Sequence, residues 1–482
     1  MNSKDYINLI LDTKLALFSN IKGFYILRSY GYKLWENIKN ILNKNLIKNK
    51  HKNVYFPLLM PKKLLINYYN HNKNFFNECA IITHTKFIKK NNKIIIDPNS
   101  KLNEELIIRP TSEIIIWHTY SKLIQSYKDL PILINQWSNV VRLELKNKMF
   151  IRNSEILWQE GHTAHINKKK AINEIKLIKK IYKNLIRKYL SIPYIFGKKT
   201  KLEKFTGSKY TYSFETLTKN GKCIQLATIH FLAKNYSKIF NVKFTDKNNK
   251  RKFVWSTSWG LSIRLIGAVV MIHSDNRGLI LPPKIAPIHI IIISIINNKK
   301  KFNLYKKKIL NKINKIKKIF KKTNLNIKYD NDNKRKPGYK FFKYEKMGIP
   351  LRIIIGIHEI NNNFIKITRR DNLKNYYIKF KKKKIKKKIF FLLKSIQKNI
   401  YKKAKKNIKK KIFKTTNYIK FKKLIKSGGF IITYCYNKII ELKIKNETNA
   451  TIRCRYKNNN SKGKCIYSGK LTNRKVIFGK SY

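Results

Sequence analysis

The sequence predicts an α/β chain: a large mixed sheet with packed helices, then a smaller α/β domain, then a short cysteine-containing tail. Three observations predict it. With 482 residues the chain has room for several domains of ~100–200 residues each. Strand-like and helical pieces alternate over 106–165 and again over 201–271, as they do where helices pack on a sheet. From Pro287 the texture changes to an Ile-rich strand, a Lys/Ile helix and two more strands, the pattern of a small α/β unit.

Taken in order, residues 6–50 carry Leu34, Trp35, Ile38, Ile41 and Leu42 at helical spacing, after a loop-like Tyr30-Gly31-Tyr32. An amphipathic helix is expected there. The stretch 54–61 reads as an edge strand, because Pro57 and Pro61 exclude both a helix interior and a central strand. The most apolar run, 285–296, is too short to cross a bilayer and contains Pro287 and His289; it reads as a buried strand after the Pro282-Pro283 break. A helix over 306–321 and strands over 351–357 and 364–368 follow, then a lysine-dominated helical stretch over 372–426 and the break Ser427-Gly428-Gly429. No internal repeat is present. The expected domains are 1–284, 285–390 and 391–482.

Lys and Arg number 109 against 24 Asp and Glu, a formal net charge of +85. Such a field attracts polyanions, so RNA is the first partner to consider. Composition tempers this, since the chain is saturated with Lys, Asn and Ile, residues of A/T-rich codons, and much of the excess charge reflects that bias. Five scattered cysteines are too few for a disulfide framework and point to a reducing compartment, the cytoplasm. The opening residues carry regular charges and no long apolar stretch, so no secretory leader and no membrane association are expected.

Chemistry concentrates where scarce carboxylates stand beside Arg, Trp and His: Arg109-Pro110-Thr111-Ser112-Glu113, then 135–144 ending in Arg142-Leu143-Glu144, then Trp158-Gln159-Glu160-Gly161-His162. Singly, each has a plain reading: Glu113 as a helix N-terminal charge, Arg142 with Glu144 as a strand pair, Trp158 as core. Together, Thr111, Glu113, Arg142, Trp158, Glu160 and His162 supply what a small cyclic zwitterion needs. Carboxylates and hydroxyls meet an ammonium, a guanidinium meets a carboxylate, and aromatic walls enclose an apolar ring.

These segments, with Lys204-Phe205-Thr206-Gly207, Ile224-Gln225, Thr228, His230 and Trp259-Gly260-Leu261-Ser262-Ile263-Arg264, resemble the successive signatures of class II prolyl-tRNA synthetases. The similarity is to the archaeal and eukaryotic-like form, and extends to Arg28-Ser29-Tyr30-Gly31-Tyr32, Lys336-Pro337-Gly338-Tyr339 and the closing Phe478-Gly479-Lys480-Ser481-Tyr482. The resemblance implies an antiparallel class II catalytic sheet, an α/β anticodon-binding domain and a small C-terminal domain. It implies ATP, Mg2+, L-proline and tRNA(Pro) as partners, and a homodimer built on motif 1 at 55–61. Motif 2 then holds Arg142 and Glu144, and motif 3 holds 260–264.

By the same resemblance Arg142 and Arg264 are catalytic, and Thr111, Glu113, Arg142, Trp158, Glu160, His162, Phe205 and His230 bind proline. Arg142, Arg152, Gln225, Thr228, Ser262 and Arg264 bind ATP, with Gln225 also near Mg2+. Glu345, Arg352, Arg369 and Arg370 face the anticodon loop, where exposed bases are read by edge hydrogen bonds and stacking. Positioning and charge neutralisation suffice for attack of a carboxylate on the α-phosphate, so no side-chain nucleophile is needed.

The chain departs from the family in places. Gln225-Leu226-Ala227-Thr228-Ile229-His230 lacks two family glycines, so backbone approach to the ligand is expected to change, and Ser154 stands where motif 2 usually has a second Arg. Of the family's four-Cys zinc site only Cys435 and Cys465 remain, with Ile440 and Ser468 at the other positions, so structural zinc is not expected. An inserted editing domain has no room between 165 and 259. The alternatives are a synthetase for threonine or serine and a catalytically impaired, synthetase-like RNA-binding protein; persistence of Arg142 and Arg264 argues against the latter.

Overall fold

A computed structural model describes residues 3–66, 78–144, 146–295, 299–332, 334–456 and 461–482. Its centre is a seven-stranded sheet in the order Ile195–Lys198, Tyr210–Leu217, Cys223–Ala233, Trp255–Ser262, Glu155–His165, Ile132–Val141, Lys52–Val54. Neighbours are antiparallel except Lys52–Val54, which lies parallel to Ile132–Val141. Alternation along Glu155–His165 sends Trp158, Glu160 and His162 to one face and Gln159, Gly161, Thr163 and His165 to the other. The second face is covered by the helix Lys168–Asn184, whose Tyr182 hydroxyl donates to Gln159 Oε1 at 2.7 Å.

The N-terminal region differs from expectation. The helix Ser3–Asp12 is followed by two short strands, Ala16–Phe18 and Tyr25–Leu27, and by the helix Ser29–Lys48. Tyr30-Gly31-Tyr32 is therefore helical rather than a loop. Gly31 is there because the helix abuts the backbone of Leu15, where an added Cβ would lie 2.1 Å from the Leu15 carbonyl oxygen. The expected strand over 54–61 is two pieces in different sheets: Lys52–Val54 joins the large sheet and Leu59–Pro61 pairs with Lys101–Ile108.

A second sheet has the order Ile327–Asp330, Ile290–Ile295, Leu351–Gly356, Phe364–Arg369, Asn375–Lys379, its first three strands parallel. The end of the apolar run, residue 296, lies outside the described residues. The lysine-rich stretch 372–426 is not one helix. It forms the strand Asn375–Lys379, the helix Lys382–Lys409, the strand Ile412–Lys414 and the helix Tyr418–Ser427. The expected boundary at 390/391 falls inside Lys382–Lys409, which buries Ile385, Ile389 and Leu392 in the second domain's core and Ala404 in the catalytic core. A third sheet orders Ile412–Lys414, Phe430–Tyr434, Lys475–Gly479 and Thr451–Arg455. Among the described residues no helix is long and apolar enough to cross a membrane.

Candidate active site

The exposed face of the large sheet is the floor of a cavity of about 400 Å³. Its rungs follow the register. Ser138, Trp158 and Ser262 form one row; Gln136, Glu160, Gly260 and Thr228 the next; Ile134, His162, Ser258, His230 and Thr211 the third. In the middle row Gly260 keeps the floor open, since any side chain there would project between Glu160 and Thr228. Glu113 opens the helix Glu113–Leu123 and enters from the side, while 199–206 closes one wall with Phe205.

Carboxylates dominate one end. Glu160 Oε1 accepts hydrogen bonds from Ser112 Oγ at 2.6 Å and Gln136 Nε2 at 2.8 Å, and its Oε2 lies 3.4 Å from His162 Nε2. Burial alone would raise the Glu160 carboxyl, yet the bonds from His162, Ser112 and Gln136 hold it below the ordinary range. Glu113 is raised, chiefly by burial. Three polar atoms of this end are buried without a partner: Glu113 Oε2, His162 Nδ1 and Ser258 Oγ. Orphaned groups of this kind are rare in folded proteins and cost free energy unless a ligand meets them.

The ring of Phe205 lies 4.7 Å from that of His230, whose Nδ1 is 2.9 Å from Thr211 Oγ1. Burial, with His162 nearby, pushes His230 down to about 3, so it is neutral at physiological pH. On the opposite side Trp158 donates from Nε1 to Ser138 Oγ at 3.1 Å, and the Arg142 guanidinium stands 5.6 Å from its ring centre. A flat apolar slot between Trp158, Phe205 and His230 thus meets an acidic end and a cationic one.

Arg142 Nε donates to the Pro110 carbonyl at 2.9 Å and Arg264 Nε to the Ile151 carbonyl at 2.9 Å, so each guanidinium is oriented by backbone. Burial lowers both, opposed by Glu113 for Arg142 and by Glu144 for Arg264. Arg264 and Gln225 also line an adjoining cavity of about 180 Å³ with Arg152 and Tyr482. Arg152 pairs there with Glu144 at 3.0 Å. Thr228 and Ser262 line the main cavity, and Leu226 and Ala227 line it too while belonging to the buried core, so the lost glycines leave the strand in place. Ser154 is buried under Gly23, its hydroxyl 3.3 Å from Asn147 Oδ1.

Several expected residues are placed differently. Thr111 is buried, 1% exposed, in the turn before Glu113–Leu123, and the adjacent Ser112 makes a bond to Glu160. Arg370 is buried in a bidentate pair with Asp275 at 2.5 and 2.9 Å and also donates to the Glu345 carbonyl, so it ties the second domain to the first rather than facing RNA. Arg369 bonds Asp371 at 2.8 and 2.9 Å and Ser395 at 2.9 Å, on the wall of a cavity of about 490 Å³ that Lys394, Lys398 and Lys402 also line. Glu345 and Arg352 lie together at 3.7 Å, with Arg352 over the Phe341 ring at 4.4 Å and its Nε buried without a partner. Ser112, Gln136, Ser258 and Lys199 were not singled out from sequence; hydroxyls and amides are too common to stand out without the register.

Cys435 and Cys465 are buried in the third domain, where the Tyr436 amide donates to Cys465 Sγ at 3.3 Å. Ile440 packs in that domain's core, and among the described residues no three His, Cys, Asp or Glu gather to hold a metal. Two sulfurs do not make a tetrahedral zinc site. Gln225, on the wall of both cavities, is the side chain whose amide oxygen would meet an Mg2+ carried by phosphates.

Residues 93–273 match the family model of the class II tRNA synthetase core domain (G, H, P, S and T), 289–388 the anticodon binding domain, and 418–482 the prolyl-tRNA synthetase C-terminal domain. The chain is 44% identical to a proline–tRNA ligase of Azobacteroides pseudotrichonymphae over 100% of its own length and 97% of the relative's. It is 42% identical to that of Flavobacterium psychrophilum, over 100% and 98%. Among solved structures, prolyl-tRNA synthetase from Cryptosporidium parvum complexed with L-proline and AMP superposes with a TM-score of 0.89 at 32% identity, covering 100% of this chain and 95% of that one. The same enzyme complexed with halofuginone and AMPPNP gives 0.88 at 32% identity, covering 99% and 94%.

Proposed function

The chain belongs to the class II prolyl-tRNA synthetases, ligases that join proline to its tRNA with ATP, and from that premise we propose how its own residues carry the reaction. One observation supports the assignment of ends: Glu113, His162 and Ser258 leave buried polar atoms unmet in the same cavity that Arg142 and Arg264 enter. The proline ammonium meets Glu113 and the Glu160–His162 pair, and its ring lies between Trp158, Phe205 and His230. Its carboxylate turns towards Arg142.

ATP lies beyond, with its phosphates between Arg142, Arg152 and Arg264 and with Gln225, Thr228 and Ser262 along its edge. A proline carboxylate oxygen attacks the α-phosphorus in line, the bond to the β-phosphate oxygen breaks, and diphosphate leaves. The guanidiniums act by neutralising charge that builds on the phosphoryl oxygens, already oriented by the Pro110 and Ile151 carbonyls. Gln225 would offer an amide oxygen to an Mg2+ carried with ATP, which would supply further neutralisation. The 3′-terminal ribose hydroxyl of tRNA(Pro) then attacks the prolyl carbonyl, releasing AMP.

Glu345 and Arg352 are the anticodon-facing residues of the second domain. Three domains follow one another, the first over 1–284, and the second and third are joined by the helix Lys382–Lys409, which spans the expected 390/391 boundary. The form is the archaeal and eukaryotic-like one without an inserted editing domain, since 166–254 is taken up by strands of the catalytic sheet, the helices packed on it and the small hairpin Lys243–Thr245 with Arg251–Phe253. A homodimer is supported by the hairpin Phe87–Lys90 with Lys93–Ile96, which exposes Phe87 at 73% and Ile94 at 77%. The cytoplasm is the compartment such an enzyme serves.

The test is pyrophosphate exchange into ATP by purified protein. Exchange that depends on proline is expected; exchange with another amino acid and none with proline overturns the reading.

A further inference from the structure

The wall segment 199–206 contributes Lys199, Glu203, Lys204, Phe205 and Thr206 to the cavity and is held from two sides: its Lys199 and Phe205 amides donate to Thr211 of the catalytic sheet at 2.8 and 3.0 Å, and the C-terminal domain holds it at Thr200 and Glu203. Thr200 Oγ1 donates to Glu441 Oε1 at 2.6 Å, a buried bond to the C-terminal helix Lys438–Thr448. One turn along that helix Lys445 pairs with Glu203 at 3.4 Å. Glu441 is itself fixed, since its other carboxylate oxygen accepts from Arg474. A second attachment lies beneath. Lys199 pairs with Glu215 Oε1 at 2.9 Å, and Glu215 Oε2 takes two bonds from Arg453 of the C-terminal strand Thr451–Arg455, at 2.8 and 3.0 Å.

Evolution of a surface ion pair needs little explanation, because exposed pairs stabilise by only ~0–1 kcal/mol. These groups are different. Glu441 and Glu215 are 2% and 0% exposed, and a buried charge persists only where its partners are fixed. All of the attachments converge on the segment that carries Phe205. No described attachment to 199–203 comes from the second domain.

We propose that Thr200, Glu441 and Lys445 are positioning residues for proline activation: the C-terminal domain sets the Phe205 wall of the proline slot through them. The domain therefore acts in the first half-reaction, before any tRNA is present. The inference rests on the placement of proline at the Phe205 end. It predicts a split, because the ATP-facing arginines Arg142, Arg152 and Arg264 sit on other segments.

The experiment compares Thr200→Val, Thr200→Ser and Lys445→Ala in the full chain, by tRNA-free pyrophosphate exchange together with thermal melting. A misplacement of order 1 Å can cost ~100-fold in rate, so a wall loosened at one point is expected to raise the proline KM roughly tenfold in Thr200→Val. The ATP KM stays within about twofold, the serine variant restores the wild-type value, and Lys445→Ala gives a smaller rise of the same kind. A folded Thr200→Val with an unchanged proline KM overturns the inference, as does a rise in both KM values together. Should Thr200→Val not fold, Lys445→Ala decides by the same split, its side chain being 43% exposed and outside the core. Wild-type protein inactive with proline would instead sink the placement of the substrate on which this rests.

Discussion

At the scale of single residues, the two carboxylates of the cavity are set apart by their surroundings. Glu160 is saturated with donors and stays ionised, whereas Glu113 keeps one oxygen unmet and is raised by burial. Replacing Glu113 by Gln removes a charge-assisted bond of ~1.5–3 kcal/mol, which is expected to raise the proline KM roughly 10- to 100-fold. Because Glu113 must be ionised to hold the ammonium, the wild-type proline KM should climb as pH falls through its raised pKa. That climb should vanish in Glu113→Gln, as measured from pH 5 to 8. Histidines give the stability a separate pH dependence. His165 and His273 are both pushed down to about 4 by burial, so below the unfolded value of ~6.5 the unfolded chain binds more protons than the folded one. Stability is intact above that value and falls as pH drops towards 4, by up to ~1.4 kcal/mol per pH unit for each group. Urea unfolding of His273→Asn should show a shallower acid loss than the wild type.

At the scale of elements, the catalytic ladder shows what a sequence can carry. Glu113, Trp158, Glu160 and His162 were legible because carboxylates are scarce in so basic a chain and these stand beside aromatic and cationic neighbours. The strand's alternation then delivers three of them to one face. Arg370 was misread because its partner Asp275 lies 95 residues away, a distance over which local pattern is silent. The helix Ser29–Lys48 began earlier than expected for a similar reason: Gly31 looks like a breaker until Leu15 is seen lying against it. Gly31→Ala should therefore destabilise despite alanine's better helix propensity, by ~1–3 kcal/mol for overpacking against backbone, read as a lowered melting temperature. A one-residue deletion inside Glu155–His165 should abolish activity altogether, because it exchanges the two faces of the strand.

At the scale of the whole molecule, charge and exposed apolar surface point to different partners. Phe87→Asp with Ile94→Lys in the exposed hairpin should convert the proposed dimer to monomer in light scattering while leaving the fold intact, as both side chains stand in solvent in the single chain. Whatever share of +85 meets RNA will show in the slope of tRNA affinity against salt, each phosphate contact adding ~0.7–0.9 to the log–log slope. Finally, the helix Lys382–Lys409 leaves no clean seam between the units it touches. A fragment ending at 390 would be cut in the middle of its own closing helix. One extended to 409 would carry Ala404 and Ile408 stripped of their cover, so neither is suited to expression as an isolated RNA-binding piece. Anyone wishing to study anticodon recognition separately will do better to inactivate the catalytic cavity in the intact chain than to excise the module.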